Sequence, residues 1–270
     1  MLKTGWPIGK PKAAIYILTR TQRLKDLRRI LQKIDVHFNA RFNYPVIIFS
    51  DDEALLNTSV KKQLKSACNH SALFFQRIFL PLPSHLKAED IPVALPCGLK
   101  KNRTVGYRHM CRFHAFGVYD EPILNGLEYA WRLDDDSVIS RRIDYDVFLH
   151  MKDNGYTYGY AFVVSDDPKC IVGLWEITCK FAREYGIDIK LPQYNSQLVY
   201  YNNFEISKLS FWRSCDYQYY ADYIDRLGGI YYYRWGDAAI KTLGLHMFVP
   251  RRNIHAFDDI SYLHGQFARP

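Results

Sequence analysis

Short apolar runs alternate along the chain with stretches of helical spacing. Ala13-Ala14-Ile15-Tyr16-Ile17-Leu18 is a continuous apolar run behind a Pro-Lys lead. A run without polar alternation is what a strand covered on both faces requires, so it predicts a central parallel strand. After Thr19-Arg20-Thr21, the residues Leu24, Leu27, Leu31, Ile34 and Phe38 keep helical spacing, with Lys and Arg opposite. Pro45-Val46-Ile47-Ile48-Phe49 is a second buried strand and stops at Ser50-Asp51-Asp52. Strand, helix, strand is a βαβ unit with a right-handed connection. Asp51 and Asp52 stand where such sheets set an acid against a nucleotide ribose or base. Capping of the following segment is an equal reading of both.

Residues 61–68 read as helix and residues 72–80 as strand, and Pro81, Pro83, Pro92 and Pro96 mark the longest irregular region. From about Asn102 a helix follows, with Val105, Met110, Phe113 and Phe116 near one face. Tyr107, Arg108, His109 and Arg112 decorate it; they suit phosphates or carboxylate partners equally. The apolar run 127–133 then stops at Asp134-Asp135-Asp136. Adjacent carboxylates repel one another. A hard divalent cation with oxygen ligands removes that repulsion, and the Asp-x-Asp spacing lets Asp134 and Asp136 reach one ion from one turn. A plain acidic turn capping the next segment is the alternative.

Further on, residues 144–154 read as a short helix and residues 156–163 as one strand. Leu174, Ile177, Phe181 and Tyr185 mark an amphipathic helix, and Phe204-Glu205-Ile206 has strand character. Ser214 suits the N-cap of a helix carrying Tyr217, Tyr220, Ile224 and Leu227, ended by Gly228-Gly229 in a left-handed cap. Asp237 is expected to N-cap a last helix with Ile240, Leu243 and Met247 inward. No repeat or clean linker divides the chain, so residues 13–270 read as one domain behind a lead of 1–12.

Composition narrows the partners. With 48% hydrophobic and 24% charged residues over 270 positions, the chain can bury a sizeable core. No apolar run is long enough for a membrane span, and the first residues lack a signal-peptide core. The balance of 36 basic against 28 acidic residues, +8, favours an anionic partner. Nucleic acid, a membrane surface and a phosphorylated small molecule all fit that charge; the basic residues are scattered and no nucleic-acid motif accompanies them, so nucleic acid is the minority reading. The six cysteines form no CxxC pair, which argues against zinc and leaves disulfide pairing open.

Several blocks resemble glycosyltransferase family 15, the fungal α-1,2-mannosyltransferases. They are Gly106-Tyr107-Arg108-His109-Met110-Cys111-Arg112-Phe113, Asn203-Phe204-Glu205-Ile206, Phe211-Trp212-Arg213-Ser214, residues 228–238 and Ile254-His255-Ala256-Phe257-Asp258-Asp259-Ile260. The resemblance runs from about Ala13 to about His264. It implies an α/β GT-A fold: a Rossmann-like nucleotide-binding half over about 13–136, a mixed central sheet flanked by helices, and an acceptor half over 137–270. It also implies transfer of mannose from GDP-mannose to a glycan or mannoside, with retention and with Mn²⁺. The family motif Glu-Pro-Asp stands here as Asp134-Asp135-Asp136, which keeps both outer carboxylates. By the same resemblance the metal set is Asp134, Asp136 and His255. Glu205 falls beside the anomeric carbon, Asp237 is the second carboxylate, and Tyr107 hydrogen-bonds in the site. Arg20, Arg108 and Arg132 are the expected clamp on the diphosphate. A covalent glycosyl-enzyme and a same-face mechanism both stay open. So do a related enzyme with another nucleotide sugar and a non-catalytic carbohydrate-binding protein. Family members are Golgi membrane proteins with a stem. Only about a dozen residues precede the first strand here, which leaves the Golgi lumen and a soluble cytoplasmic chain both open.

Overall fold

The computed structural model describes residues 9–93, 95, 97, 104–187, 197–265 and 267–268. Its centre is a seven-stranded sheet in the order β10-β6-β9-β4-β1-β2-β3. These strands are β1 (Ala13–Leu18), β2 (Val46–Ser50), β3 (Leu73–Arg77), β4 (Tyr129–Leu133), β6 (Tyr158–Tyr160), β9 (Phe204–Lys208) and β10 (Ile254–Ala256). β4, β1, β2 and β3 run parallel, and β10 runs parallel to β6. β9 is inserted antiparallel between β4 and β6, with Arg132 opposite Glu205 and Tyr160 also opposite Glu205. The sheet therefore crosses residue 136 without interruption.

Its two faces separate by the two-residue period of a strand. Ala14, Tyr16, Ile47, Phe49 and Ala130 face one core, and Ala13, Ile15, Ile17, Ile48 and Trp131 face the other. Helices Val105–Ala115, Cys215–Arg226 and Asp237–Phe248 cover the first face. Helices Leu24–Ile34 and Val147–Asp153 cover the second. Coverage on both faces is why β1, β2 and β4 lack polar alternation.

Two small sheets complete the molecule. β5 (Val138–Ile139) pairs with β11 (Tyr262–His264), which pairs with β12 (Phe267–Ala268). β7 (Val163–Ser165) pairs with β8 (Leu198–Tyr200). The single strand expected over 156–163 is thus two strands in different sheets. Pairing to β9 ends at Tyr160, and the chain turns through Ala161 and Phe162 to form a cleft wall. Ser214 caps its helix through Tyr217 N, and Gly228 ends the helix at φ +66°. At the last helix the expectation fails: Gly236 is the N-cap, and Asp237 is the first helical residue with its carboxylate turned elsewhere. Cys97 and Cys170 form a disulfide, while Cys68, Cys111, Cys179 and Cys215 are free. Among the described residues no helix is long and apolar enough to cross a membrane.

Candidate active site

The acidic stretch sits at the carboxyl end of β4, on the rim of a cleft of about 620 Å³. Asp134 N donates to Asn203 O at 3.2 Å, which carries the β4–β9 pairing one step further. Ser137 N then donates to Asp134 O at 3.0 Å and closes a turn that spreads the three carboxylates. Asp134 accepts from Arg132 Nε and Nη2 at 3.2 and 3.1 Å. Asp136 meets Arg23 Nη2 at 3.0 Å and His264 Nε2 at 2.9 Å. One ligand atom each from Asp134, Asp136 and His264 lie within 4.8 Å of one another.

Two carboxylates and an imidazole are oxygen and nitrogen donors of the kind a divalent first-row cation takes. His264 is brought there by the pairing of β11 with β5. Its Nδ1 lies 3.1 Å from the Tyr201 hydroxyl, which turns Nε2 toward the carboxylates. The hydrogen bond to His264 leads in lowering the Asp136 carboxyl to about 2, against the opposing effect of burial. The middle residue, Asp135, stands apart from this set. It accepts from Thr19 Oγ1 at 2.6 Å and Arg23 Nε at 3.1 Å, tying the turn to the end of β1. Here an aspartate occupies the position of the family's proline and braces the turn.

Behind the turn lies a buried charge relay of contacts. Arg132, 3% exposed, bridges Asp134 and Asp237. Asn202 Nδ2 donates to the same Asp237 oxygen at 2.7 Å. Burial pushes the Asp237 carboxyl up, but the neighbouring Arg132, with His114, more than reverses this and holds it at about 2.

Glu205 lies one layer deeper, outside the cleft lining. It is 1% exposed, and both its oxygens accept from Lys241 Nζ, at 2.6 Å on Oε1. Tyr119 and Tyr158 hydroxyls donate to it at 3.4 and 3.3 Å. Lys241 is itself buried over the Trp212 ring, 4.6 Å from its centroid. Glu205 was expected beside an anomeric carbon; in this structure both its oxygens are engaged by Lys241. A buried pair of this sort is costly to break from either side.

Tyr107 lines the cleft from helix Val105–Ala115, with the Arg234 guanidinium 5.4 Å from its ring centroid. Burial raises the Tyr107 hydroxyl well above the usual value, so it stays a neutral donor. Arg108 is not in the cleft. It is fully buried and donates to the carbonyls of Tyr231, Pro92, Val93 and Thr104, so it stitches loops rather than clamping phosphate. Arg20 pairs with Asp51 at 2.6 Å, and Asp52 accepts from Thr21 N at 2.9 Å and Ala54 N at 3.0 Å. These contacts brace the ends of β1 and β2 just outside the cleft lining.

His255 also lies elsewhere. On β10 its ring stacks on Tyr156 at 4.6 Å, and its Nε2 is 3.3 Å from His150 Nε2. β10 pairs at the far edge of the main sheet, whereas β11 pairs beside the acidic turn. The imidazole of the cluster is therefore His264, not His255. Sequence reasoning also missed Arg23, Asn202, Asn203, Arg234 and Lys241. Asn202-Asn203 directly before the Phe204 block and Arg234 within the block 228–238 had a local signal; Arg23 and Lys241 are placed by contacts with residues distant in sequence.

A carboxylate turn at the end of a central parallel strand, with a buried arginine behind it and a mixed α/β sheet around it, is the arrangement of a GT-A glycosyltransferase, the fold of the solved structures this chain matches. The chain belongs to the glycolipid 2-alpha-mannosyltransferase family, whose profile matches residues 7–269. It is 32% identical over 277 residues to the alpha-1,2 mannosyltransferase KTR1 of Saccharomyces cerevisiae, covering 96% of this chain and 70% of that protein. It is 31% identical over 281 residues to glycolipid 2-alpha-mannosyltransferase 2 of Candida albicans, covering 96% and 60%. The chain thus spans roughly two thirds of these relatives' length. Its fold matches the mannosyltransferase Ktr4p of S. cerevisiae in complex with GDP, with TM-score 0.85 and 29% identity over 97% of this chain and 73% of that one. It also matches core-mannan synthase A of Aspergillus fumigatus in its Mn/GDP form, with TM-score 0.81 and 26% identity over 96% and 76%.

Proposed function

We propose that the chain transfers mannose from GDP-mannose to a hydroxyl of a mannoside or glycan, with retention of the α configuration and dependence on Mn²⁺. The observation that carries this is the Asp134–Asp136–His264 cluster on the cleft rim, joined through Arg132 to Asp237. The family's named activity and the GDP and Mn forms of related structures support it.

In this reading Asp134, Asp136 and His264 hold the ion, which when bound neutralises charge on the diphosphate. Arg23 adds a cation beside the same turn. The Arg20, Asp51 and Asp52 rim receives the guanosine, at the carboxyl ends of the strands. Asp237, ionised and lining the cleft, stands against positive charge developing on the sugar and accepts a hydrogen bond from the incoming hydroxyl. The Arg132 guanidinium holds the Asp237 carboxyl low and so weakens it as a base, which leaves the departing phosphate as the acceptor of that proton. Tyr107 donates as a neutral phenol. Glu205, capped by Lys241, balances charge beneath Arg132 without touching the sugar.

Transfer from GDP-mannose to methyl α-mannoside tests this, with and without Mn²⁺. Asp136→Asn and His264→Asn are expected to lose more than the ~10–100-fold typical of a lost outer-shell partner. His255→Asn is expected to stay within about threefold of the parent, as for a side chain with no part in the ion set. Metal-independent transfer, or a heavier loss in His255→Asn than in His264→Asn, would overturn the assignment.

A further inference from the structure

Arg234 carries three features that the proposed chemistry does not use. Its φ is +67°, in the left-handed region where a side chain with Cβ is strained. It is 6% exposed, yet its Nε is buried with no hydrogen-bond partner. It also lines the cleft beside Asp166, with Nη2 3.3 Å from Oδ1. Strain of this kind persists only where surrounding structure enforces it.

The enforcing contacts are present on both sides. Trp235 Nε1 donates to Val172 O at 2.8 Å, the Cys97 sulphur lies 3.7 Å from Tyr233 O, and Cys97 is bridged to Cys170. The turn 233–236 is thereby fastened to the segment 168–172, just after Asp166 and Asp167. Asp166 is fixed from its own side, since its N donates to Gln197 O at 2.8 Å and its Oδ1 accepts from Asp167 N at 2.8 Å.

The chemistry of this pair selects its ligand. A guanidinium beside a carboxylate is close to neutral as a unit, which disfavours a phosphate. The guanidinium and carboxylate that line the cleft together offer donors and an acceptor side by side, the pattern two adjacent sugar hydroxyls require. The Tyr107 phenol lies against the same guanidinium. Along the cleft, Arg132 joins the acidic turn to Asp237, and Arg234 is set three residues ahead of Asp237, with no ion pair to the acidic turn among the described residues. A donor sugar held at the turn reaches Asp237, and the next sugar meets Arg234 and Asp166.

We infer that Arg234 and Asp166 form the acceptor-sugar subsite, binding vicinal hydroxyls of a neutral mannoside. This rests on the reading of the cleft as a GDP-mannose site, and the test separates the two. Arg234→Gly removes the side chain and suits the left-handed backbone, so it is expected to fold; Asp166→Asn keeps the shape and removes the charge. Binding of methyl α-mannoside is followed by ligand-observed NMR with GDP and Mn²⁺ present, and GDP binding by titration calorimetry. The expected result is mannoside affinity weaker by about tenfold or more in both variants, the loss of a charged hydrogen bond, with GDP affinity within about twofold. Unchanged mannoside affinity in both variants overturns the subsite, as does an equal loss of GDP affinity, or a parent protein that binds GDP and no mannoside. A parent that binds mannoside through Arg234 but not GDP upholds the subsite and overturns the donor assignment instead.

Discussion

At Asp237 two opposing effects act on one carboxyl. Burial favours the neutral form, and the Arg132 guanidinium together with His114 favours the charged one. The charged form wins, and the folded value of about 2 lies below the ordinary 3.8. A depressed carboxyl contributes stability that is present above the unfolded value and lost as pH falls through the folded one. Asp237→Asn removes that contribution, on the order of 2 kcal/mol for a shift of this size. Urea unfolding of parent and variant is therefore expected to differ most above pH 4 and to converge as pH falls toward 2. A gap independent of pH in that window would count against an ionised Asp237. The same side chain shows a limit of local reading. Gly-Asp before an apolar helix looks like an N-cap, but the cap falls to Gly236 because the carboxylate is drawn to Arg132, more than a hundred residues away in sequence.

Among elements, the short helix Gly229–Tyr232 and the turn after it set where Arg234 points. A Cβ on Gly229 would lie 2.3 Å from the Trp235 ring, which is buried and tied to Val172. The ring cannot retreat without breaking that bond. Gly229→Ala is expected to cost about 1–3 kcal/mol by overpacking. At about 2–4 °C per kcal/mol for a chain of this size, the melting temperature should fall by several degrees. An unchanged melting curve would mean that Trp235 moves freely and the turn is less constrained than argued. The elements also show what periodicity carries. β1, β2 and β4 are legible because both faces are buried. β5, β11 and β12, of two or three residues each, hold no pattern to read, and it is β11 that delivers His264. His255 sits in a recognisable block, whereas nothing local marks His264 as the partner of Asp136.

Across the whole molecule, the Cys97–Cys170 bridge spans 73 positions and fastens the cleft wall. Closing a loop of that length is worth about 4 kcal/mol in the chain-entropy estimate, with 2–4 kcal/mol typical. Cys97→Ser with Cys170→Ser, followed by urea unfolding, is expected to show a loss in that range. An undiminished midpoint would show that the wall is held by packing alone. Apolar runs and helical spacing alone yield the parallel βαβ start, and the mixed sheet beyond it was expected only from the family resemblance. The reversal of β9 was not legible, because strand direction is set by pairing partners and not by the strand's own residues. That reversal is what puts Asn202 and Asn203, just before β9, beside the end of β4.

The cluster of Asp134, Asp136 and His264 has a consequence for the order of events in synthesis. Its carboxylates emerge from the ribosome well before its imidazole, and β5 has no β11 to pair with until residue 264 is made. At roughly 5–20 residues per second, on the order of ten seconds separate the synthesis of the carboxylates from that of their third donor. The third donor of the cluster is therefore in place only once β11 has docked on β5.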